Sequence, residues 1–572
     1  MDETGKREML SEVALGNLAP DTVVTNGTVF NVFTGEFISK QAIWIKDGMI
    51  AYVGSDADPP RGEKTSIIHA DGMVLLPGLI EGHTHLNRTG IEEFTRYVIP
   101  TGVTTVVMET IEVGMVCGKR GIEYFARGLE GQPIRFYYTV PPSCGLIPSM
   151  EIKAPTCEES LSLLSDPKCL GLGEVFWGNI LAKGEKGERV RELASLTLSL
   201  GKRVEGHTAG ASDKKLQAYT CLGASSCHEP ITEDEVMERL RLGYWVMLRE
   251  GSIRQELEGT RGVFNRKIDF RRMVLVTDGV DPERFIKEGY LDAAVRNALK
   301  LGVPPHIAYQ MVTINVAEHF RLDHLVGSLS PGKVADLVMI PKSDEFSPQL
   351  VMCDGKVIFR DGKALVEPKI TAFPEDLSDT VHMGDLHFLP PRNRGRARVI
   401  DLVTRLVTRE KIIDLEDREE VRDVIMILAA ERTGRNKSFM GLLKGLGLQR
   451  GAYGSTMTWD TVDTIVVGCD LQSMKTVIER LKEIRGGGVY AIGKEIVAEI
   501  STPLCGSMSL KPMRVVYEEM ARLEVALREN GIVWEKPVLT IDTLTTPAIP
   551  HLRISHEGYV RLKDREILPL EV

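Results

Sequence analysis

Four histidines and two carboxylates stand where they can share metal ions: His83, His85, Glu174, His207, His228 and Asp278. Each lies at or near the end of a short apolar run, in GLIEGHTH, CLGLGEV, RVEGH, ASSCH and MVLVTD. Alternation along a strand sends residues i and i+2 to one side, so both imidazoles of His83-Thr84-His85 can face one ion. Nitrogen and carboxylate ligands without thiolate suit Zn, Mn or Fe. Six ligands exceed what one catalytic ion takes from protein, so two ions sharing Glu174 is the natural arrangement. Such a pair activates water for hydrolysis near neutral pH. Asp278 is placed to ligate, to accept the water's proton and to hand it to a leaving group.

Each residue alone has a plainer reading. A His-x-His pair is more often incidental, Glu174 fits a buried paired carboxylate, and His207 fits a satisfied core histidine. Asp278 alone fits a helix cap. The set is what points to a metal site, because all six fall at strand ends in one order along the chain. Arg249 and Glu250, at the end of YWVMLRE, are candidate substrate contacts, with an ion pair at the rim as the alternative. Glu229 is placed to orient His228 from behind or to touch substrate.

The elements that must position these groups read as eight buried-type strands. VTTVVME, IRFYYTV and YWVMLRE complete the five runs above, and helix-compatible segments separate them. That pattern predicts a (β/α)8 TIM barrel over 76–324, whose active sites gather at the carboxyl ends of the strands. On either side, 1–75 and 325–370 carry short β-like runs with Asp-Gly turns, which predict one small composite β-sandwich domain. PPRNRGRAR at 390–398 marks a linker within 371–400, and 401–572 reads as an additional α+β domain.

Composition excludes several classes. The chain has 572 residues, 43% hydrophobic and 26% charged, which is the balance of a folded protein. A net charge of −10 gives no support for a nucleic-acid binder. No apolar stretch approaches the ~20 residues of a membrane span, and the charged N-terminal segment is no signal peptide. Nine scattered cysteines without C-x-x-C pairs read as reduced thiols in a cytoplasmic protein. The glycine run GGGVYAIG lacks a P-loop ending, and neither Pro-Cys-x-x-Cys zinc ligation nor a Gly-x-Ser-x-Gly elbow occurs.

DGMVLLPGLIEGHTH and GSLSPGKVADLVMI resemble the two signatures that flank amidohydrolase-superfamily barrels. Within that superfamily the chain resembles the adenine deaminase family nearly end to end, through GLGEV, VEGH, His228-Glu229, VMLREGS, LDAAVRNALKLGV, INVAEHF and GLLKGLGLQRGAYGS. The resemblance implies a binuclear Mn or Fe centre bridged by Glu174, and hydrolysis of adenine to hypoxanthine and ammonia in purine salvage. It also implies a homo-oligomer acting on a small heterocyclic substrate. The chain departs from the family pattern at Asn87-Arg88-Thr89, at Ile111 within Glu109-Thr110-Ile111-Glu112, at Gly279 and Asp281, and at Trp459 and Val462 within 459–463. These changes keep the ligands and alter the surroundings of the base. They leave open a related amidohydrolase acting on another purine, a pteridine or a cyclic amide or amidine. A catalytically silent metal-binding paralogue is the third reading.

Overall fold

A computed structural model describes residues 3–572 except 56–59, 61, 87, 144, 343–344, 385, 387–393 and 460. Asn87, Asp460 and the first half of PPRNRGRAR lie outside the described residues.

Each of the eight apolar runs carries a strand: β1 (Leu79–Thr84), β2 (Val103–Met108), β3 (Arg135–Val140), β4 (Cys169–Phe176), β5 (Arg203–His207), β6 (Ser226–Cys227), β7 (Trp245–Arg249) and β8 (Met273–Val276). They are parallel, in one sheet of β1 to β5 and one of β6 to β8. The backbone amide of Ser225 donates to Val204 between β5 and β6, and that of Asp278 to His83 between β8 and β1. The strands therefore surround one interior, a TIM-barrel-like α/β fold. Their residues are almost all buried, as expected of parallel strands covered on both faces. Val106, Tyr138 and Leu248 pack outward into the larger core, while Val107, Tyr137 and Met247 fill a second cluster inside. Helices between strands begin where the sequence caps them. Thr156 and Thr232 each accept from the amide three residues on, and Glu159 and Glu235 reach back to close the box.

Strand Leu337–Pro341 pairs antiparallel with Met73–Pro77, so segments on either side of the barrel share one nine-stranded sheet. Its hairpins turn at Asp47-Gly48 and Asp354-Gly355, where both residues of each pair have positive φ, the backbone that two-residue hairpins need.

Residues 396–501 form an eight-stranded sheet with a helix on each face. Alternation sorts its side chains. Ile427, Ile465, Val467 and Tyr490 pack with Val516, Leu523 and Leu527 of helix Met513–Glu529. Leu428, Val466, Val489 and Ala491 pack with Met474, Val477 and Leu481 of helix Leu471–Glu483. This unit lies over the strand-end side of the barrel: Met508-Ser509 pair with Arg88-Thr89, just beyond His85.

Candidate active site

The strand ends bring all six predicted ligands together, every one buried. Glu174 is the centre. Its Oε1 lies 3.3 Å from His83 Nε2 and 3.0 Å from His85 Nε2, while its Oε2 lies 3.4 Å from His228 Nε2 and 3.9 Å from His207 Nε2. Each carboxylate oxygen thus faces one pair of histidines. Asp278 Oδ1 joins the first pair, 3.3 Å from His83 Nε2 and 3.6 Å from His85 Nε2. One donor atom from each of His83, Glu174, His228 and Asp278 falls within 4.8 Å of the others.

A divalent cation fits this donor set. His83 Nε2 and Glu174 Oε2 are buried with no hydrogen-bond partner, a costly state for polar atoms that bound cations would relieve. The charges are poised for it. Burial opposes ionisation of Glu174, but His228, His83 and His85 outweigh it and hold the carboxyl well below its usual range. Burial also opposes a proton on His83 and His85, yet Asp278, Glu109 and Glu174 around the first, and Glu112 and Glu174 around the second, hold both well above the ordinary histidine range. Asp278 is likewise held at about 2 against burial, by His83 and Arg249. Neutral histidine and ionised carboxylate are what a metal takes, so a bound cation would take the place of these protons.

Behind the donors stands a ring of carboxylates. Glu112 Oε1 is 2.7 Å from His85 Nδ1, and Glu109 Oε1 is 3.2 Å from His83 Nδ1, with Thr139 Oγ1 donating to its other oxygen at 2.5 Å. These contacts fix the two rings with Nε2 pointing inward. Glu109 and Glu112 were not singled out in the sequence as partners of the histidines. The signal was available, since Glu109 directly follows β2 as His85 follows β1 and His228 follows β6.

Arg249 reaches the cluster and Glu250 does not, because Arg249 ends β7 and the next residue of the extended chain points to the opposite side. Arg249 Nη1 is 3.0 Å from Asp278 Oδ2 and 2.8 Å from Glu229 Oε1, while Nε and Nη2 grip Glu256 at 3.1 and 2.7 Å. Glu250 accepts from Asn297 at 2.9 Å and sits 3.7 Å from Arg284. Glu229 Oε1 is 3.1 Å from Nε2 of both His207 and His228, which makes it a direct neighbour of the second pair. Glu256 carries no signal in the sequence that ties it to this site.

The altered positions form the surroundings. Ile111 and Val462 meet in one apolar cluster with Met115, Ile147 and Phe176, and the Phe176 ring lies 4.7 Å from His207. Trp459 stands 5.5 Å from the His85 ring, and a Cβ at Gly279 would lie 3.6 Å from its indole. Arg88 donates to Asp542 at 3.2 Å, tying the segment after His85 to the C-terminal unit. Asp281 caps helix Pro282–Lys287 and lies 3.4 Å from Lys536. Beside His207 a cavity of 760 Å³ opens between the barrel and the C-terminal unit, walled by Phe176, Trp177, Ala548 and Pro550.

The chain matches known families along most of its length. The amidohydrolase family profile matches residues 74–358, and that of the adenine deaminase C-terminal domain matches 403–566. Among curated proteins it is similar to an adenine deaminase of Moorella thermoacetica, 32% identical over 97% of this chain and 96% of the relative. It is also similar to adenine deaminase 2 of Carboxydothermus hydrogenoformans, 32% identical over 98% and 99%. An adenine deaminase of Clostridium botulinum strain Langeland is 30% identical over 98% and 97%.

Proposed function

Because the chain belongs to the adenine deaminase family, we propose that it hydrolyses adenine to hypoxanthine and ammonia at the Glu174-centred cluster. The observation that carries the reading is the split of the two Glu174 oxygens between two histidine pairs. It supports a binuclear site in which His83, His85 and Asp278 would hold one ion, His207 and His228 the other, and Glu174 would contribute to both. The donor set suits Mn or Fe and accepts Zn. When bound, such cations supply the Lewis acidity that acidifies water in a dry site.

The chain's own residues do the rest. With cations bound, Glu112 and Glu109 would accept from Nδ1–H of His85 and His83, leaving each Nε2 unprotonated and inward. Asp278, kept ionised, accepts a proton from the attacking water at its carboxylate and returns it to the departing amino nitrogen of adenine. Arg249 fixes the second oxygen of Asp278, so the carboxylate turns one defined edge to the reaction. Glu229 sits on the second histidine pair and against Arg249, on the side of Nε2. The Phe176, Ile111 and Val462 wall and the Trp459 indole offer apolar faces for a flat ring, and exclude water from it.

We read the architecture as a (β/α)8 barrel over 76–324, a composite β-sandwich domain from 1–75 and 325–370, a linker over 371–400 and an α+β domain over 401–572. A cytoplasmic setting accords with eight described cysteines that are all free thiols, and a role in purine salvage as a homo-oligomer rests on the family alone. No helix among the described residues is long and apolar enough to cross a membrane.

A second reading, a related heterocycle as substrate, is favoured by one observation. Ile111 and Val462, two positions that depart from the family pattern, make an apolar wall that offers a purine edge no side-chain hydrogen bond of its own. Chromatography of products from adenine and from a panel of aminopurines and aminopteridines separates the two. Hypoxanthine as the fastest-formed product supports adenine. Turnover confined to another ring overturns it.

A further inference from the structure

Cys117 and Cys505 meet across the boundary between the barrel and the C-terminal unit, with Sγ atoms 3.6 Å apart. Cys117 belongs to helix Ile111–Leu129, immediately before Gly118, whose φ of 62° interrupts that helix. Cys505 is buried, while Cys117 is partly accessible. The thiols are separated by 388 residues, so only the packing of the two units brings them together.

A third residue makes the pair more than a contact. Arg432 is buried, and its hydrogen bonds run to the carbonyls of Thr456 and Cys505. Its Nε has none. A buried guanidinium without a hydrogen-bonded carboxylate, among the described residues, favours any anion that forms beside it. The hydrogen bond from Cys505 and the nearby Arg432 charge hold the Cys117 thiol below its usual range against burial. Cys505 is pushed well above its own by Cys117 and by burial. One thiol is therefore the nucleophile and the other the resolving partner.

We propose that Cys117 and Cys505 are a peroxide-responsive thiol pair that forms a reversible disulfide between the barrel and the C-terminal unit. The Cys117 thiolate attacks one oxygen of hydrogen peroxide, the O–O bond breaks, and with one proton the products are a sulfenic acid and water. The Cys505 sulfur then attacks the Cys117 sulfur, the S–O bond breaks, and the Cys505 proton leaves with the hydroxyl as a second water. Two thiols are oxidised and one peroxide is reduced. Closing from 3.6 Å to a disulfide needs an approach of about 1.5 Å. The bond sits between two tethers to the active site. Glu112, on the same helix, holds His85, and Met508-Ser509, just after Cys505, pair with Arg88-Thr89.

The test is oxidation of the full-length protein with stoichiometric hydrogen peroxide, alkylation of remaining thiols, and peptide mapping without reductant. The expected result is one cross-linked peptide joining Cys117 to Cys505, cleaved by dithiothreitol, with a melting temperature several degrees higher before cleavage. In Cys505→Ser, Cys117 should stop at a sulfenic acid that dimedone traps. Arg432→Met should slow oxidation by about tenfold, while Arg432→Lys, which keeps the charge, should not. Recovery of both cysteines alkylated, or cross-links only through other cysteines, overturns the proposal. The map of the unaltered protein needs no variant to fold.

Discussion

Arg249 Nη1 lies 3.0 Å from Asp278 Oδ2, and the same guanidinium grips Glu256 through Nε and Nη2. The contact leaves Asp278 Oδ1 to the histidines and holds the carboxylate in one orientation. Burying a planar cation among Asp278, Glu229 and Glu256 works only with a fork geometry that lysine lacks. Arg249→Lys is therefore expected to lower kcat by about 10²-fold with KM changed little. Steady-state kinetics decide it, and an unchanged kcat would show that the orientation of Asp278 does not need this fork.

Glu112 acts through His85. Replacing it with Gln keeps the volume and removes the charge that fixes the ring. The expected effect is a 10- to 100-fold loss of metal affinity, measured by competition with a fluorescent chelator. Glu109→Gln should act the same way through His83. Wild-type affinity in both would mean the two carboxylates serve packing alone.

Trp459 comes from the C-terminal unit, yet its indole lies 5.5 Å from His85. Trp459→Ala is expected to raise KM for substrate several-fold while metal content stays at the wild-type level. Loss of metal without a change in KM would place the indole in support of the histidine instead.

Asp542 carries a pH dependence. Burial pushes its carboxyl up to about 6, against the pull of Arg88 and of hydrogen bonds from Ser455, Arg88 and Tyr453. A carboxyl whose folded value is raised binds its proton more tightly when folded. Its contribution to stability is therefore fully present below the unfolded value near 4 and is lost as pH rises through about 6. The span corresponds to something on the order of 2–3 kcal/mol. Unfolding measured from pH 4 to 7 should show this slope in the wild type and a flatter profile in Asp542→Asn. Equal slopes in both would assign the dependence to other groups.

The donors were legible because chemistry and periodicity coincide: each stands where a buried strand ends, and parallel strands deliver their ends to one place. The pairing of Leu337–Pro341 with Met73–Pro77 was foreshadowed by matching Asp-Gly hairpins in two distant segments. What lay beyond reach depends on contacts between units. Nothing near residue 459 or 542 says that Trp459 packs on His85 or that Asp542 meets Arg88, since those contacts follow from how two separately formed cores dock. Arg249 and Glu250 show a finer limit. Both are polar and adjacent, and only the phase of β7, set by Trp245 and Met247 facing inward, sends Arg249 to the cluster and Glu250 to Asn297.

The most direct test of the central claim is ammonia release from adenine by metal-loaded protein, with bound metal counted in the same samples, for the wild type and Asp278→Asn. The account predicts turnover by the wild type with two ions per chain, and a loss of about 10²-fold or more in the variant with metal largely kept. Undiminished turnover in Asp278→Asn, or turnover by protein stripped of metal, would contradict it.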